Sequence, residues 1–139
     1  DLVAEGEIVR LRSHRLALKQ DEEKARGVIV AAFESAGLSA PAVAEVLKST
    51  GLDAVRARSV LQLLLREGTL VRITEDLVLH AASVAGLRAT LLVRKGERFG
   101  VAEFKEWTGV SRKYAIPLLE YMDRERVTRR DGDARIISG

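Results

Sequence analysis

Apolar residues recur at helical spacing at the start of each half of this chain. In the first half they stand three and four positions apart and end at Gly37. In the second half they follow the same spacing up to Gly96. The positions are Ala25, Val28, Ile29, Ala32, Phe33 and Ala36, then Val84, Leu87, Leu91 and Leu92. This spacing is typical of a helix with one buried face, so each half is predicted to begin with an amphipathic helix.

The segment after each of these helices is a repeat at an offset of 58 residues. Val43–Leu52 aligns with Val101–Val110, and the register continues without a gap to Glu67 and Glu125. Nine of the 25 positions from 43 to 67 are identical to their counterparts. Chance similarity between helical segments rarely keeps one register through a glycine turn, so the sequence predicts two copies of one module.

Each copy has the pattern of a helix-turn-helix. Gly51 and Gly109 supply a left-handed residue at the end of a short helix. Asp53 and Ser111 then stand where an N-cap belongs, each able to bond the free N–H groups of the next helix. The apolar residues of that longer helix are Val60, Leu61, Leu64 and Leu65 in one copy and Leu118, Leu119 and Met122 in the other. Pro117 predicts a local kink in the second.

A β-hairpin is predicted behind each helix-turn-helix. Thr74–Asp76 is flanked by Leu70–Ile73 and Leu77–Leu79, and Asp131-Gly132 is flanked by Val127–Arg130 and Ala134–Ile137. An Asp-Gly pair between β-forming runs favours a hairpin. Three helices closed by a hairpin make a winged helix. The predicted fold is therefore mostly α with small β-hairpins, as two tandem winged-helix modules at residues 1–80 and 81–139.

Composition narrows the classes of function. The absence of cysteine excludes disulfides, thiol catalysis and cysteine-based metal sites. The histidines, His14 and His80, are too few for a metal cluster and are most simply strand-end residues. No phosphate-binding G-x-x-x-x-G-K loop and no catalytic set of residues is present. No apolar run approaches the roughly 18 residues that cross a bilayer. We expect a soluble protein that is not an enzyme and holds no cofactor.

Positive charge is concentrated in the second copy. Residues 1–80 have 11 Lys/Arg against 12 Asp/Glu, a net charge of −1, whereas residues 81–139 have 12 against 8, a net charge of +4. The helix that commonly enters a nucleic-acid groove begins Ala54-Val55-Arg56 in the first copy and Arg112-Lys113-Tyr114 in the second. Cations at a helix N-terminus interact unfavourably with the helix dipole, and bound phosphates would offset that unfavourable interaction. The alternative interpretation is that Arg112 and Lys113 are two solvated charges on an exposed turn.

The second wing adds to this basic surface. Arg129 and Arg130 precede its turn, and on a strand they face opposite sides, so at most one shares a face with a given partner. The first wing carries Glu75-Asp76 at its tip, which would repel phosphate. The second copy is therefore predicted to bind a polyanion and the first to act as a spacer or adaptor. Tyr114 is a candidate for base stacking, whereas Phe104 and Trp107 are expected in the core.

The second copy resembles the last winged helix of the bacterial selenocysteine-specific elongation factor family, SelB. The resemblance covers residues 99–133 and is most specific at Ser111–Ala115, Pro117–Tyr121, Asp123-Arg124 and Thr128–Arg130. Residues 15–80 more loosely resemble the preceding winged helix of that family. Ile8–Leu11 with His14-Arg15 resembles the strand segment that introduces it. The chain departs from the family at Arg126, where a glycine is usual and where a differently shaped corner is expected, and at Lys19-Gln20, where Ser-Pro often precedes the first long helix.

This resemblance implies binding of the SECIS mRNA hairpin that recodes UGA as selenocysteine. By position, the implied RNA-binding residues are Arg112, Lys113, Arg129 and Arg130, with Tyr114 less secure. The family carries selenocysteyl-tRNA to the ribosome using GTP, through domains that would lie upstream. A cytoplasmic monomer without membrane contact is expected.

Two other classes of function stay open from the residues alone. One is a DNA-binding winged-helix regulator, although such proteins usually read palindromes as symmetric dimers and these two copies differ in charge. The other is a protein-interaction module whose basic half docks on an acidic partner. The angle between the copies, the hairpin sequence and RNA contact by the first copy are not determined by sequence.

Overall fold

A computed structural model describes the backbone of residues 2–139 and the side chains of residues 17–139. This part of the chain contains six helices and five short strands. In the N-terminal half (residues 2–80) they are α1 (Leu2–Ala36), α2 (Val43–Lys48), α3 (Ala54–Glu67), β1 (Leu70–Arg72) and β2 (Val78–His80). In the C-terminal half (residues 81–139) they are α4 (Ala81–Leu92), β3 (Arg98–Phe99), α5 (Val101–Thr108), α6 (Arg112–Arg124), β4 (Thr128–Asp131) and β5 (Ala134–Ile137).

The strand expected at the N-terminus is replaced by helix. Helix α1 runs without interruption from Leu2 to Ala36, so Ile8–Leu11 and His14 are helical and the strand prediction is wrong. No proline occurs in this stretch, and each residue added to an existing helix gains a hydrogen bond at little further cost. The amphipathic helix predicted from Ala25 therefore extends upstream through Lys19-Gln20.

The sequence repeat is also a repeat of hydrogen bonds. The Thr50 hydroxyl accepts a bond from the Leu52 N–H at 3.2 Å, and the Thr108 hydroxyl accepts one from the Val110 N–H at 3.4 Å. At the other end of the module, the Thr69 N–H donates to the Leu64 carbonyl at 3.1 Å, and the Val127 N–H donates to the Met122 carbonyl at 3.0 Å. The members of each pair are separated by the 58-residue offset. The turn between the two helices and the turn that leads into the hairpin therefore have the same hydrogen bonds in both halves.

The two expected N-caps differ. The Asp53 carboxylate accepts a bond from the Arg56 N–H at 2.9 Å, as predicted. Ser111 has the extended backbone of an N-cap, but its side chain makes no capping bond, so that part of the prediction is wrong. The first turn of α6 is held instead by the Ser111 carbonyl, which accepts from the N–H groups of Tyr114 and Ala115.

Both predicted hairpins are present, and the second belongs to a larger sheet. Strands β1 and β2 pair antiparallel as a two-stranded sheet. Strands β4 and β5 also pair antiparallel, and β3 joins the free edge of β5, which makes a three-stranded sheet in the order β3-β5-β4. Residues 98 and 99 are too few to show an alternating pattern, so this strand was not predicted from the sequence. The turn of this hairpin is Gly132-Asp133, one residue later than predicted.

The buried side chains form one apolar cluster that includes both halves. Phe104 is fully buried, and Trp107 is half-buried against Phe99, with their ring centroids 5.1 Å apart. Both were predicted to lie in the core. Helix α6 continues through Pro117. Among the helices described, none is sufficiently long and apolar to cross a bilayer.

Candidate nucleic-acid interface

The N-terminus of α6 presents two exposed cations. Arg112 and Lys113 are exposed in the first turn, and neither forms an ion pair with any side chain described between residues 17 and 139. Ser111 leaves the adjacent backbone N–H groups without a side-chain cap. Two unpaired cations beside uncapped N–H groups make this end of α6 attractive to an anion.

Tyr114 follows these cations but points into the contact between the two halves. The ring is half-buried, and its hydroxyl donates a hydrogen bond to the Ala40 carbonyl at 3.3 Å. The Lys113 ammonium lies 5.4 Å from the ring centroid. One side of the ring therefore faces Lys113 and its end is anchored in the N-terminal half, which limits the surface available for a stacked base.

The same side of α6 contacts the N-terminal half along its length. Tyr114 and Pro117 line a cavity of about 290 Å³ that also includes Ala40 and Leu77. About three turns after Tyr114, the Arg124 guanidinium donates to the Ile73 carbonyl at 2.8 Å. Positions 114, 117 and 124 lie on one helical face. Helix α6 is thus covered on this face, and Arg112 and Lys113 lie at its exposed end.

The two wing arginines lie on opposite faces of the three-stranded sheet. Arg130 pairs with Arg135 of β5, on the face that carries the buried Thr128 and Ile137. Arg129 pairs with Ile136 on the outer face. Both arginines are exposed and form no ion pair with the side chains described. The structure agrees with the predicted alternation and leaves both charges available.

A buried ion pair fastens the wing to the C-terminal end of α6. Arg135 is only 7% exposed, and its guanidinium contacts the Asp123 carboxylate at 3.0–3.1 Å. The Thr128 hydroxyl donates to the same carboxylate at 2.6 Å. The sequence predicted Arg135 only as part of a strand. Arg135 shares its strand face with Ile137, but Ile136 on the other face is equally apolar, so the sequence carried no signal of which face is buried.

The basic residues consequently form two groups and not one cluster. Asp123, which holds the wing, is 11 residues after Arg112 on α6, a distance of about 16 Å along the helix axis. The Arg112–Lys113 group and the Arg129–Arg130 group therefore lie towards opposite ends of α6. A partner that contacts both groups has to reach across this distance.

The wing of the N-terminal half has a different surface. Its tip residues Glu75 and Asp76 are exposed, and the Arg72 guanidinium donates to the Glu75 carbonyl at 3.0 Å.

At the other end of this hairpin, His80 ends β2 as predicted. Its Nδ1 accepts a bond from the Ala82 N–H at 3.0 Å, and its Nε2 lies 3.2 Å from the Glu34 carboxylate. Within residues 17–139, no group of three His, Asp or Glu side chains is arranged to hold a metal ion.

One further cation of the wing was missed from the sequence. Arg98 of β3 reaches across the sheet, and its Nε donates to the Asp131 carboxylate at 2.9 Å. Because β3 was not predicted, nothing in the sequence pattern connected residue 98 with the wing.

Comparison with known proteins finds similarity to one family of translation factors. Residues 90–137 match the family model of the elongation factor SelB winged helix. The chain is 30% identical over 138 residues to the selenocysteine-specific elongation factor of Desulfomicrobium baculatum, covering 98% of this chain and 22% of that protein. The chain thus spans about a fifth of the length of this relative.

Two solved structures are also similar. The mRNA-binding domain of elongation factor SelB from E. coli, solved in complex with SECIS RNA, matches with a TM-score of 0.61 and 27% identity, covering 70% of this chain and 82% of that one. A bacterial selenocysteine-specific elongation factor matches with a TM-score of 0.64 and 25% identity, covering 88% of this chain and 19% of that one. Residues 90–137 therefore match the SelB winged helix, and the chain over nearly its whole length is similar to part of a selenocysteine-specific elongation factor.

Proposed function

We propose that this chain binds a SECIS mRNA hairpin as part of a selenocysteine-specific elongation factor. The observation that carries the proposal is the similarity to the E. coli mRNA-binding domain that was solved with SECIS RNA. The chain's role is binding and not catalysis. Arg112, Lys113, Arg129 and Arg130 are the residues proposed to contact RNA, since all four are exposed and unpaired among the side chains described.

The proposed mechanism is electrostatic capture followed by recognition of unpaired bases. An RNA duplex hides its base edges in a deep and narrow groove, so loops and bulges are the readable parts. The two basic groups, separated along α6, would contact backbone phosphates at two places on the hairpin. Tyr114 is the weaker candidate for a base contact because its hydroxyl is engaged with Ala40.

The domain organisation belongs to the same proposal. We infer two tandem winged-helix modules, residues 1–80 and residues 81–139. Support comes from the order of three helices followed by a hairpin in both halves and from the hydrogen bonds repeated at an offset of 58 residues. The second module is the proposed RNA binder, and the acidic wing tip of the first favours a spacer role.

The remaining partners would act through other parts of a full-length factor. Selenocysteyl-tRNA, GTP and the ribosome are proposed to bind domains outside this chain, in a cytoplasmic protein. This region itself is proposed to be monomeric and to need no cofactor.

The test is fluorescence anisotropy of the 139-residue protein with a labelled SECIS hairpin, titrated at two salt concentrations. A hairpin with a scrambled loop and a DNA duplex of equal length are measured in parallel. We expect tight binding to the intact hairpin alone. Equal affinity for all three probes would contradict RNA recognition, and preference for the duplex would indicate a DNA-binding protein.

The variants Arg112→Ala and Arg130→Ala examine the two basic groups separately. Each should weaken binding and lower the slope of log K against log salt by up to about 0.9 per lost phosphate contact. Arg58→Ala is the matched control, because Arg58 is an exposed arginine on α3 of the first half. Unchanged affinity in both Arg112→Ala and Arg130→Ala would overturn the site assignment.

A further inference from the structure

The outer face of the three-stranded sheet carries a second arginine beside Arg129. Strand register places Arg98 of β3 and Arg129 of β4 on either side of Ile136 in the central strand β5. Side chains directly across a sheet share a face, so both arginines project from the outer face. With strands about 4.8 Å apart, the two Cα atoms are separated by roughly 10 Å.

The Arg98 side chain lies over this face and is held at its end. Its Nε donates to the Asp131 carboxylate at 2.9 Å, and its Nη2 lies 3.4 Å from the Asp131 carbonyl oxygen. Asp131 is two residues beyond Arg129 on β4, on the same face. The residue of the central strand that is paired with Asp131 is Ala134, whose small side chain lies on the same face.

This geometry leaves part of the Arg98 guanidinium available. The contacts to Asp131 use Nε and Nη2, and Nη1 has no partner among the residues described. The Arg98 side chain is 62% exposed despite the ion pair. A guanidinium has five N–H donors, so one that is fixed by a carboxylate on one edge can still bind a phosphate with the other.

We propose that Arg98 is a further RNA-contacting residue, which binds the hairpin backbone beside Arg129, and that Asp131 is its positioning residue. The proposal rests on the proposed RNA-binding function and extends it to a strand outside the helix-turn-helix and the wing hairpin. The proposed partner is the sugar-phosphate backbone, since arginine is among the usual donors to the phosphate oxygens that position a protein on a nucleic acid.

The experiment measures affinity of the 139-residue protein for a fluorescein-labelled SECIS hairpin across a series of salt concentrations. Arg98→Ala should weaken binding about five- to tenfold. It should also lower the slope of log K against log salt by the amount expected for about one phosphate contact. Arg88→Ala is the matched control, because Arg88 is also an exposed arginine in an ion pair, with Glu125 at 3.5 Å, but lies on α4. Its affinity should stay within about twofold of the parent.

Asp131→Asn tests positioning, with Arg98 intact and in the Arg98→Ala background. If Asp131 only repels the RNA backbone, Asp131→Asn should tighten RNA binding by the same factor in the parent and in the Arg98→Ala background. If Asp131 positions Arg98, the substitution weakens binding only where Arg98 is present. Equal effects in the two backgrounds would overturn the positioning role.

The outcomes separate this proposal from the one on which it rests. If the parent protein fails to bind the hairpin, the proposed function itself fails. If the parent binds and Arg129→Ala weakens binding while Arg98→Ala matches Arg88→Ala, the function stands and Arg98 is only a brace between strands. Melting temperatures of all variants identify any loss that is due to unfolding.

Discussion

Gly68 and Arg126, separated by the 58-residue offset, adopt the same left-handed backbone conformation. Their φ angles are +84° and +61°, and Arg126 is the only non-glycine residue with a positive φ in the described chain. The Gly68 N–H donates to the Leu65 carbonyl and the Arg126 N–H to the Asp123 carbonyl, at 3.2 and 3.1 Å. The expectation of a differently shaped corner at Arg126 is therefore wrong, because the helix-ending hydrogen bonds hold arginine in the conformation that glycine adopts freely.

Replacing Arg126 with glycine should stabilise the protein. A left-handed conformation costs a non-glycine residue about 1 kcal/mol, and the Arg126 side chain is exposed with no ion pair among the described residues. We expect Arg126→Gly to raise the free energy of unfolding in urea by up to about 1 kcal/mol. Gly68→Ala is the reciprocal control and should lower it by a similar amount, since a Cβ there meets no atom within 4 Å and the cost is conformational. A destabilised Arg126→Gly variant would contradict this explanation.

Removing the Asp123 carboxylate should destabilise the C-terminal half strongly. Asp123→Ala leaves the buried Arg135 guanidinium without its anion and Thr128 without its acceptor. A loss of about 2–4 kcal/mol in the free energy of unfolding is expected. Glu120→Ala, an exposed carboxylate on the same helix, is the control and should change stability by less than about 0.5 kcal/mol.

The double variant Asp123→Ala with Arg135→Met distinguishes the ion pair from simple packing. Because it removes the buried charge together with its partner, it should recover part of the stability lost in Asp123→Ala. A double variant less stable than the single one would show that the arginine is tolerated without its anion.

Arg124 should help to fix α6 against the N-terminal half. Its guanidinium bonds the Ile73 carbonyl at 2.8 Å, so Arg124→Ala should shift the backbone amide NMR signals of residues 72–77. The cost in stability should be at most about 1 kcal/mol, because the residue is exposed. Arg66→Ala, at the matching position of the first copy, should leave these signals unchanged. Identical spectra for Arg124→Ala and the parent would argue against the contact in solution.

Stability should depend on the ionisation of Glu67. Both carboxylate oxygens of Glu67 accept bonds from Arg26, at 2.8 and 2.7 Å, and this holds the pKa of Glu67 below its usual value. A depressed folded-state pKa stabilises the protein above the unfolded-state pKa, and this contribution is lost as pH falls through the folded-state value. The pair is exposed, so its contribution should be small and screened by salt.

Comparison of Glu67→Gln with the parent measures this effect. The parent should be the more stable at neutral pH, and the difference should vanish in acid as Glu67 is protonated. Glu23→Gln, an exposed carboxylate on α1 without an ion pair among the described residues, is the control. A difference that persists at low pH would mean that charge is not its source.

The sequence by itself determined four helices, α2, α3, α5 and α6, with the turns that join them, and both hairpins. Their signals are local: apolar periodicity in α3 and α6, threonine-glycine turns at Gly51 and Gly109, and a turn at Gly132. The exposure of Arg112 and Lys113 followed from their place in the first turn of a helix, and alternation along the strand predicted that Arg129 and Arg130 lie on opposite faces.

The tertiary structure decided the rest, where residues distant in sequence meet. Strand β3 exists because the edge of β5 offers partners to two residues, Arg98 and Phe99, that show no pattern alone. Tyr114 is turned from the exposed surface by the Ala40 carbonyl, 74 residues away. Arg135 is buried because Asp123 neutralises it from another element. In each case hydrogen bonds and charges supplied by remote segments outweigh the local preference, and such contacts leave no periodic trace in the sequence.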